Sequence, residues 1–190
     1  AHSPFSRREA GLEKDPRPLP VVFYKEKYLY FERHFKYELL LNDRINFFCR
    51  ECIESSSTSK ILDTVKYVLE QEPVFEFKNK QALENIRLAL YISLLNQFSI
   101  ISGGPGTGKT TLIFNILRCL FKTGVYESDD IVLAAPTGRA AKRITESILE
   151  NISIFQKKHT ESRASENAAA VKASTIHRLL KYNSATGGFF

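Results

Sequence analysis

A glycine-rich stretch with a single lysine, ISGGPGTGKTT at residues 101–111, has the residue types and spacing of a phosphate-binding loop. It fits the pattern G-x-x-x-x-G-K-[ST], which begins at Gly103 and ends with Gly108, Lys109 and Thr110. Such glycines let successive backbone N–H groups point at a phosphate chain, and the following helix adds the positive end of its dipole. We therefore expect Lys109 to contact the β- and γ-phosphates and the Thr110 hydroxyl to join the shell of a Mg²⁺ ion.

The whole loop is predicted to bind the nucleotide, with Lys109 and Thr110 as the catalytic residues and Thr110 as the metal ligand. The alternative is a glycine-rich turn with an incidental lysine. It is disfavoured because the full pattern lies between an apolar run and the start of a helix. The predicted nucleotide-binding residues are Gly103, Gly104, Pro105, Gly106, Thr107, Gly108, Lys109, Thr110 and Thr111.

The segments around the loop predict an α/β fold with a parallel sheet and helices on both faces, the P-loop NTPase type. Apolar residues 98–101 predict a buried strand before the loop, and the helix after the loop should end at Gly124. A second buried strand is predicted over 131–135 and a second helix over 138–150. Residues 151–172 are polar and rich in alanine, and we expect an exposed loop there.

A small α+β module is predicted upstream, over residues 21–78. Four prolines and many polar residues in 1–20 indicate an extended arm or linker. Aromatic and β-branched residues over 21–37 predict a hairpin of two strands. Apolar residues at helical spacing predict helices over 38–52 and 59–70. This module is a possible partner-docking region.

The P-loop domain is predicted to begin at residue 79 and to continue to residue 190. Pro73 and the polar KNK at 78–80 mark the boundary, and apolar residues between 83 and 94 predict one more helix. The chain contains no methionine. We therefore expect it to be a piece of a longer protein.

The composition indicates a soluble, cytoplasmic protein of 190 residues with no membrane partner, because no apolar run approaches the length of a membrane span. A hydrophobic fraction of 43% is enough for one sizeable core. The formal charge is +6, and the segment from Arg139 to Lys181 contains nine basic and four acidic residues. This basic half favours a polyanionic partner, although a solvated surface is the plainer explanation.

Two short patterns are expected to be coincidental. Cys49 and Cys52 form a C-x-x-C, which is typical of a redox pair or half a zinc site, but no second half is present. We expect these residues and Cys119 to be reduced thiols. Glu76 and Lys78 match the end of a nuclease signature, but the match is only three residues long and no upstream aspartate is identifiable as its partner.

Two segments beyond the loop are more specific. LAAPTGRAAKRITES at 133–147 and ASTIHRLL at 173–180, in this order after the loop, resemble the RecD family of superfamily 1 helicases, the α subunits of RecBCD helicase–nucleases (exodeoxyribonuclease V). LYFERHFKYE at 29–38 is similar to the aromatic and arginine segment that precedes the motor in that family. The resemblance covers roughly residues 20–190.

This resemblance implies a first RecA-like motor domain and an ATP-driven, 5′-to-3′ translocase on single-stranded DNA. It implies ATP and Mg²⁺ as cofactors, RecB- and RecC-like subunits as partners, and a role in double-strand break repair and recombination. The nuclease of such complexes belongs to another subunit. Both segments follow predicted parallel strands, where ligands bind in open α/β sheets. The DNA-contacting residues implied are Thr137, Gly138, Arg139, Thr175, His177 and Arg178.

The sequence departs from the family in two places. The glutamine that recognises adenine is not identified, because Gln81 lies far upstream of the loop and Asn85 or Ile86 falls nearer the usual position. No apolar strand after the loop ends in Asp-Glu, since Asp129 and Asp130 precede their strand. We therefore expect a domain that stops before Walker B and binds nucleotide weakly without hydrolysing it or unwinding DNA.

Three alternatives remain open from the sequence. The chain is also compatible with a stand-alone RecD-like helicase or a relaxase-type helicase. A non-helicase P-loop protein, such as a small-molecule kinase, is compatible with the loop alone. His177 and the basic residues after Gly138 are also compatible with an ordinary surface histidine and the solvated side of a helix. Binding of single-stranded DNA separates the helicases from a kinase.

Overall fold

In a computed structural model, the chain divides into two compact units, residues 1–52 and residues 53–190. The residues that the structure describes are 21–25, 27–50, 55–74, 80–159 and 163–183. The predicted arm at 1–20, the Glu76–Lys78 pattern and Cys52 lie outside the described residues. No helix in the described ranges combines the length and the hydropathy needed to cross a membrane.

The first unit contains an antiparallel hairpin and one long helix. Strands β1 (Val21–Tyr24) and β2 (Tyr28–Phe31) pair so that Val22 lies opposite Tyr30. Alternation along β1 buries Val22 and Tyr24, which form a small core with Phe35 of α1 (Glu32–Arg50). The ring centroids of Tyr24 and Phe35 are 5.5 Å apart. The hairpin predicted from the aromatic residues is confirmed over 21–31.

The end of the predicted hairpin is corrected by α1. Residues 32–37 are helical instead of extended, and α1 begins at Glu32, six residues before the predicted start. The reason is periodicity, because Phe35 and Leu39 lie four residues apart and both pack on the hairpin core. The aromatic content of the segment indicated a strand, but the packing positions follow the helical period.

Three helices form one part of the second unit: α2 (Ser55–Glu70), α3 (Lys80–Leu95) and α4 (Lys109–Thr123). Each contributes apolar side chains to a shared core, as their helical spacing predicts. The predicted helices over 59–70 and 83–94 are thus confirmed, and both begin earlier than expected. The buried residues of this core are Val65, Val68, Leu69, Leu90, Leu94, Leu112 and Cys119.

The contacts of α2 do not agree with the domain boundary that the sequence predicts after residue 78. The sequence predicts that α2 belongs to the N-terminal module, but Val65 and Val68 of α2 are fully buried against α3 and α4. An amphipathic helix must bury its apolar stripe, and α2 does so on the helix that follows the phosphate-binding loop. The second unit therefore starts at residue 53.

A parallel strand pair forms the other part of the second unit. Strand β3 (Leu133–Ala135) pairs with β4 (Ala173–Thr175), and Ala135 lies opposite Thr175. Between these strands lie α5 (Gly138–Gln156) and α6 (Arg163–Ala170), and α7 (Ile176–Leu179) follows β4. The parallel direction predicted for the sheet is present in this pair, although β3 pairs with residues 173–175 and the predicted partner was 98–101.

Two predictions around this pair are corrected. Residues 98–101 form no strand with any described partner, and Ile100 is 79% exposed, so the predicted buried strand is wrong. Residues 151–172 are largely helical instead of an exposed loop, because α5 continues to Gln156 and α6 follows. Ile152, Phe155 and Ala168 are buried in a core with Phe114 of α4.

Candidate functional site

The phosphate-binding loop leads directly into α4, whose first residue is Lys109. The backbone N–H of Leu112 donates to the Gly108 carbonyl at 2.9 Å, which closes the first turn. Gly108 is the N-cap, and no side-chain hydrogen bond caps this end of the helix in the described structure. The N–H groups at this helix start therefore have no side-chain cap in the described structure, and such groups can bind an anion.

The glycines of the loop are required for different reasons. Gly106 and Gly108 have φ angles of 74° and 81°, which favour glycine. Gly103 is constrained by space, since a Cβ there would lie 2.9 Å from the Thr107 hydroxyl oxygen. Gly104 is constrained by neither, because its nearest neighbour would be a Thr107 methyl carbon 3.9 Å away. Any need for glycine at 104 therefore comes from outside the folded loop.

A pair of alanine substitutions separates these roles. Gly103→Ala should displace the Thr107 hydroxyl and lower the free energy of unfolding by about 0.5–1.5 kcal/mol, the value of a hydrogen bond. Gly104→Ala should leave stability unchanged and weaken ADP binding, because its methyl would stand between backbone and phosphate. Thermal unfolding and calorimetric titration with ADP measure both effects. Equal stability of the two variants would contradict the packing argument.

Lys109 is held within the loop by three hydrogen bonds. Its Nζ donates to the carbonyl oxygens of Gly103 at 2.7 Å and Gly104 at 2.5 Å. The third bond, at 3.3 Å, goes to Oγ1 of Thr107. That hydroxyl in turn donates to the Gly104 carbonyl at 2.9 Å. The predicted phosphate-binding lysine thus lies at the centre of the loop.

The first predicted DNA segment lies between β3 and α5. Thr137 is the N-cap of α5, and its Oγ1 accepts a hydrogen bond from the Ala140 N–H at 3.2 Å. Gly138 and Arg139 open the helix, and the Arg139 side chain is exposed. A threonine hydroxyl that accepts the capping bond still has its own O–H to donate. Thr137 can therefore cap the helix and donate to a phosphate at the same time.

The second predicted DNA segment has the same design at β4 and α7. Thr175 is the N-cap of α7, and its Oγ1 accepts from the Arg178 N–H at 3.2 Å. His177 and Arg178 are exposed, and the His177 ring meets Tyr182 edge to face with centroids 5.2 Å apart. The Tyr182 N–H also donates to the His177 carbonyl at 2.8 Å. This turn therefore holds His177 at the surface.

The parallel register brings the two segments together. Because Ala135 lies opposite Thr175, the starts of α5 and α7 leave the same edge of the strand pair. The side chains of Lys109 and Thr107 contact only the loop itself among the described hydrogen bonds. The side chains of the loop thus bond to one another, and the two threonine segments lie at the same edge of the strand pair.

The side chains considered for adenine and metal binding have other contacts. Gln81 Nε2 donates to Asn85 Oδ1 at 3.0 Å, one helical turn along α3. Asp129 and Asp130 belong to a short 3-10 turn, and the Asp130 carboxylate accepts from the Glu127 N–H at 2.8 Å. No three His, Cys, Asp or Glu side chains converge on a metal position in the described part of the chain.

The two cysteines among the described residues are free, as expected of reduced thiols. Cys49 and Cys119 are free, the first exposed and the second buried. Burial raises the pKa of the Cys119 thiol to about 12, so its reactive thiolate is not formed near neutral pH.

The sequence did not predict a buried ion network that involves Arg118 and Lys122, in the C-terminal half of α4. The Arg118 side chain is fully buried and donates to the Glu72 carboxylate at 2.9 Å and to Asn115 Oδ1 at 3.2 Å. Lys122 Nζ and the Tyr67 hydroxyl also donate to this carboxylate, each at 3.1 Å. The available signal was an arginine on the apolar face of a helix, among Leu117 and Phe121.

The network alters the ionisation of its members. Burial lowers the pKa of the Arg118 guanidinium, and the Glu72 carboxylate opposes this. Burial also raises the pKa of the Glu72 carboxyl, but the hydrogen bond and charge of Lys122, with the two other donors, hold that pKa below its ordinary value of 4.5. Glu72 is therefore a carboxylate at neutral pH.

An aromatic stack extends the network to α5. The Arg118 guanidinium lies 4.2 Å from the centroid of the Phe155 ring. The His159 ring stacks on Phe155 with a centroid separation of 4.8 Å, and its Nε2 lies 3.1 Å from the Pro73 carbonyl oxygen. These contacts tie the end of α2 to α4 and α5, and so fix the helix that carries the loop.

Comparison with known proteins agrees with this geometry. The AAA domain family matches residues 87–189. The chain is 42% identical over 100 residues to the RecBCD enzyme subunit RecD of Haemophilus influenzae, covering 51% of this chain and 15% of that protein. It is 34% identical over 174 residues to the RecBCD enzyme subunit RecD of Buchnera aphidicola subsp. Acyrthosiphon pisum, covering 91% of this chain and 26% of that protein.

The relative from Mycolicibacterium smegmatis, also a RecBCD enzyme subunit RecD, is 37% identical over 100 residues, which cover 51% of this chain and 17% of that protein. The chain therefore spans only a sixth to a quarter of the length of such relatives. The family match includes the loop, α4 and both threonine segments, and it extends over more than half of the chain. The chain belongs to the AAA domain family and is similar to RecD subunits of RecBCD enzymes.

Proposed function

We propose that this chain carries part of the first RecA-like motor domain of an ATP-dependent, 5′-to-3′ DNA helicase, a RecBCD-type subunit that acts in double-strand break repair. Its similarity to RecD subunits supports this proposal. The observation that carries it is the register of β3 and β4, in which Ala135 lies opposite Thr175. Two capped helix starts with exposed arginines thereby share one sheet edge, which is where α/β proteins bind ligands.

In this proposal the single strand lies across that edge and is held by its phosphates. The donors are the hydroxyls of Thr137 and Thr175, the backbone at Gly138, and the side chains of Arg139, His177 and Arg178. None of these groups is selective for a base when it contacts a phosphate. A motor that moves along any sequence needs contacts of this kind.

The proposed cofactor is ATP with Mg²⁺. The residues present fit this group, since the uncapped start of α4 offers backbone N–H donors and Lys109 adds a full positive charge. The half-buried Thr110 hydroxyl would serve as a metal ligand. When bound, Mg²⁺ neutralises charge on the β- and γ-phosphate oxygens. The protein's own part is to orient the phosphate chain along the loop.

The N-terminal unit is proposed to dock a RecC-like subunit of a cytoplasmic RecB- and RecC-containing complex. Its hairpin exposes four large apolar side chains that pair across the strands, Val21 with Phe31 and Phe23 with Leu29. Phe31 is 68% exposed and Leu29 is 73% exposed. Neighbouring exposed apolar side chains of this kind are a feature of protein interaction sites.

Binding of single-stranded DNA tests the proposal. The 190-residue chain should bind a fluorescent oligonucleotide with an affinity that falls steeply with salt. Arg139→Ala and Arg178→Ala should each weaken binding at every sequence and reduce the log–log salt slope by roughly 0.7, the value for one single-strand phosphate contact. Arg44→Ala, at an exposed arginine of the N-terminal unit, is the matched control and should have no effect.

The same titration distinguishes the alternative function. A small-molecule kinase with this loop would bind ADP but show no salt-dependent affinity for single strands. Equal effects of Arg139→Ala and Arg44→Ala would show that the strand does not follow the sheet edge, and would contradict the proposed path.

A further inference from the structure

The Lys109 ammonium uses its whole donor capacity inside the loop. A lysine ammonium has three N–H donors. In this structure all three have acceptors: the carbonyls of Gly103 and Gly104, and the Thr107 hydroxyl. A phosphate oxygen can therefore reach this ammonium only if at least one of these bonds is given up.

The Thr107 hydroxyl organises these acceptors. It accepts from Lys109 Nζ and donates to the Gly104 carbonyl, which is also an acceptor of the ammonium. The three groups form a closed ring of hydrogen bonds. There is little space between this hydroxyl and residue 103, because a Cβ on Gly103 would lie 2.9 Å from the hydroxyl oxygen. The Thr107 hydroxyl is thus held in position by the two hydrogen bonds that it makes.

We propose that Thr107 is a positioning residue that latches the Lys109 ammonium onto the loop carbonyls, so that phosphate binding must exchange these bonds. The inference rests on the proposed nucleotide binding. It adds a free-energy cost to that binding, because hydrogen bonds of Lys109 must first be broken. The latch stabilises only the form of the loop in which Lys109 is bonded to the loop itself, and not the form that binds phosphate. Only the remaining, unlatched molecules can bind phosphate. The apparent affinity of the loop for phosphate is therefore lower, the larger the latched fraction is.

Removal of the hydroxyl should therefore tighten binding. Thr107→Val replaces the hydroxyl with a methyl of similar size and keeps the β-branched shape. We expect the variant to bind inorganic pyrophosphate and ADP about three- to tenfold more tightly than the original chain, which corresponds to the loss of one hydrogen bond from the latched form. Thr107→Ser keeps the hydroxyl and should restore the original affinity. Isothermal titration calorimetry measures all three proteins.

Amide hydrogen exchange provides a readout independent of ligand affinity. Without added nucleotide, the amides of residues 104–108 should exchange faster in Thr107→Val than in the original chain or in Thr107→Ser. Circular dichroism should show unchanged helix content. If Thr107→Val fails to fold, Thr107→Ala removes the same hydroxyl with a smaller side chain, and its expected affinity and exchange are the same.

The outcomes separate the two proposals. If the original chain binds neither pyrophosphate nor ADP, the proposed nucleotide site is wrong. If it binds them and Thr107→Val binds equally well or more weakly, the latch is wrong, and in the weaker case the hydroxyl serves the bound phosphate instead. Tighter binding that Thr107→Ser does not reverse would also overturn the latch, since the effect would then come from side-chain shape.

Discussion

Glu72→Ala is expected to lower the free energy of unfolding of the second unit by about 3–5 kcal/mol, the cost of leaving a buried charge without its partner. The Arg118 side chain is fully buried, and the Glu72 carboxylate is its only described ionic partner. The guanidinium cannot lose its proton at any ordinary pH. In the variant it must therefore stay charged beside the rings of Phe114 and Phe155, with only neutral acceptors left, Asn115 Oδ1 and the backbone carbonyl of residue 72.

Denaturant unfolding followed by circular dichroism measures this loss. The matched control is Glu146→Ala, which removes an exposed carboxylate 3.6 Å from Lys142 on α5 and should cost no more than about 0.5 kcal/mol. The double variant Glu72→Gln with Arg118→Met replaces both charges and should recover most of the loss. A similar loss in Glu72→Ala and Glu146→Ala would show that burial of Arg118 does not matter.

The same carboxyl should make stability depend on pH. Its folded pKa lies below the unfolded value, so the folded state binds this proton more weakly. The contribution of Glu72 is therefore complete above the unfolded pKa and is lost as the pH falls through the lower folded pKa. Between neutral pH and about pH 3 the original chain should lose more stability than Glu72→Gln does.

The local chemistry of the site was predictable from sequence because it depends on neighbouring residues. A glycine loop before a helix follows from a rule about a few adjacent positions, and α4 accordingly begins at Lys109, directly after Gly108. The capping roles of Thr137 and Thr175 were not predicted, although the same kind of local rule applies to them.

The errors arose where the outcome depends on distant partners. Residues 98–101 have the composition of a strand, but a strand needs a neighbour for its backbone groups, and none of the described strands lies beside them. Residues 151–172 have the composition of a loop, but Phe155 and Ala168 find a core on Phe114. Arg118 was missed for the same reason, because its partner Glu72 lies 46 residues away in sequence.

The second large effect is expected at the loop itself. Lys109→Ala should weaken binding of ADP by about 10- to 100-fold, the value of a charge-assisted hydrogen bond to a phosphate. Calorimetric binding is the suitable measurement, since it reports the affinity for ADP directly and requires no turnover. The matched control is Lys66→Ala, at an exposed lysine of α2, which should bind ADP normally.

Lys109→Ala and Thr107→Val should act in opposite directions, although both break the same ring of hydrogen bonds. The valine variant removes one of the three contacts of the ammonium within the loop, so that fewer bonds must be given up when phosphate binds. The alanine variant removes the latch together with the charge that the phosphate requires, and the second loss is larger because that bond is charge-assisted. If Lys109→Ala bound ADP as well as Lys66→Ala does, the ammonium would contribute nothing beyond its bonds within the loop, and the nucleotide site would depend on backbone N–H groups alone.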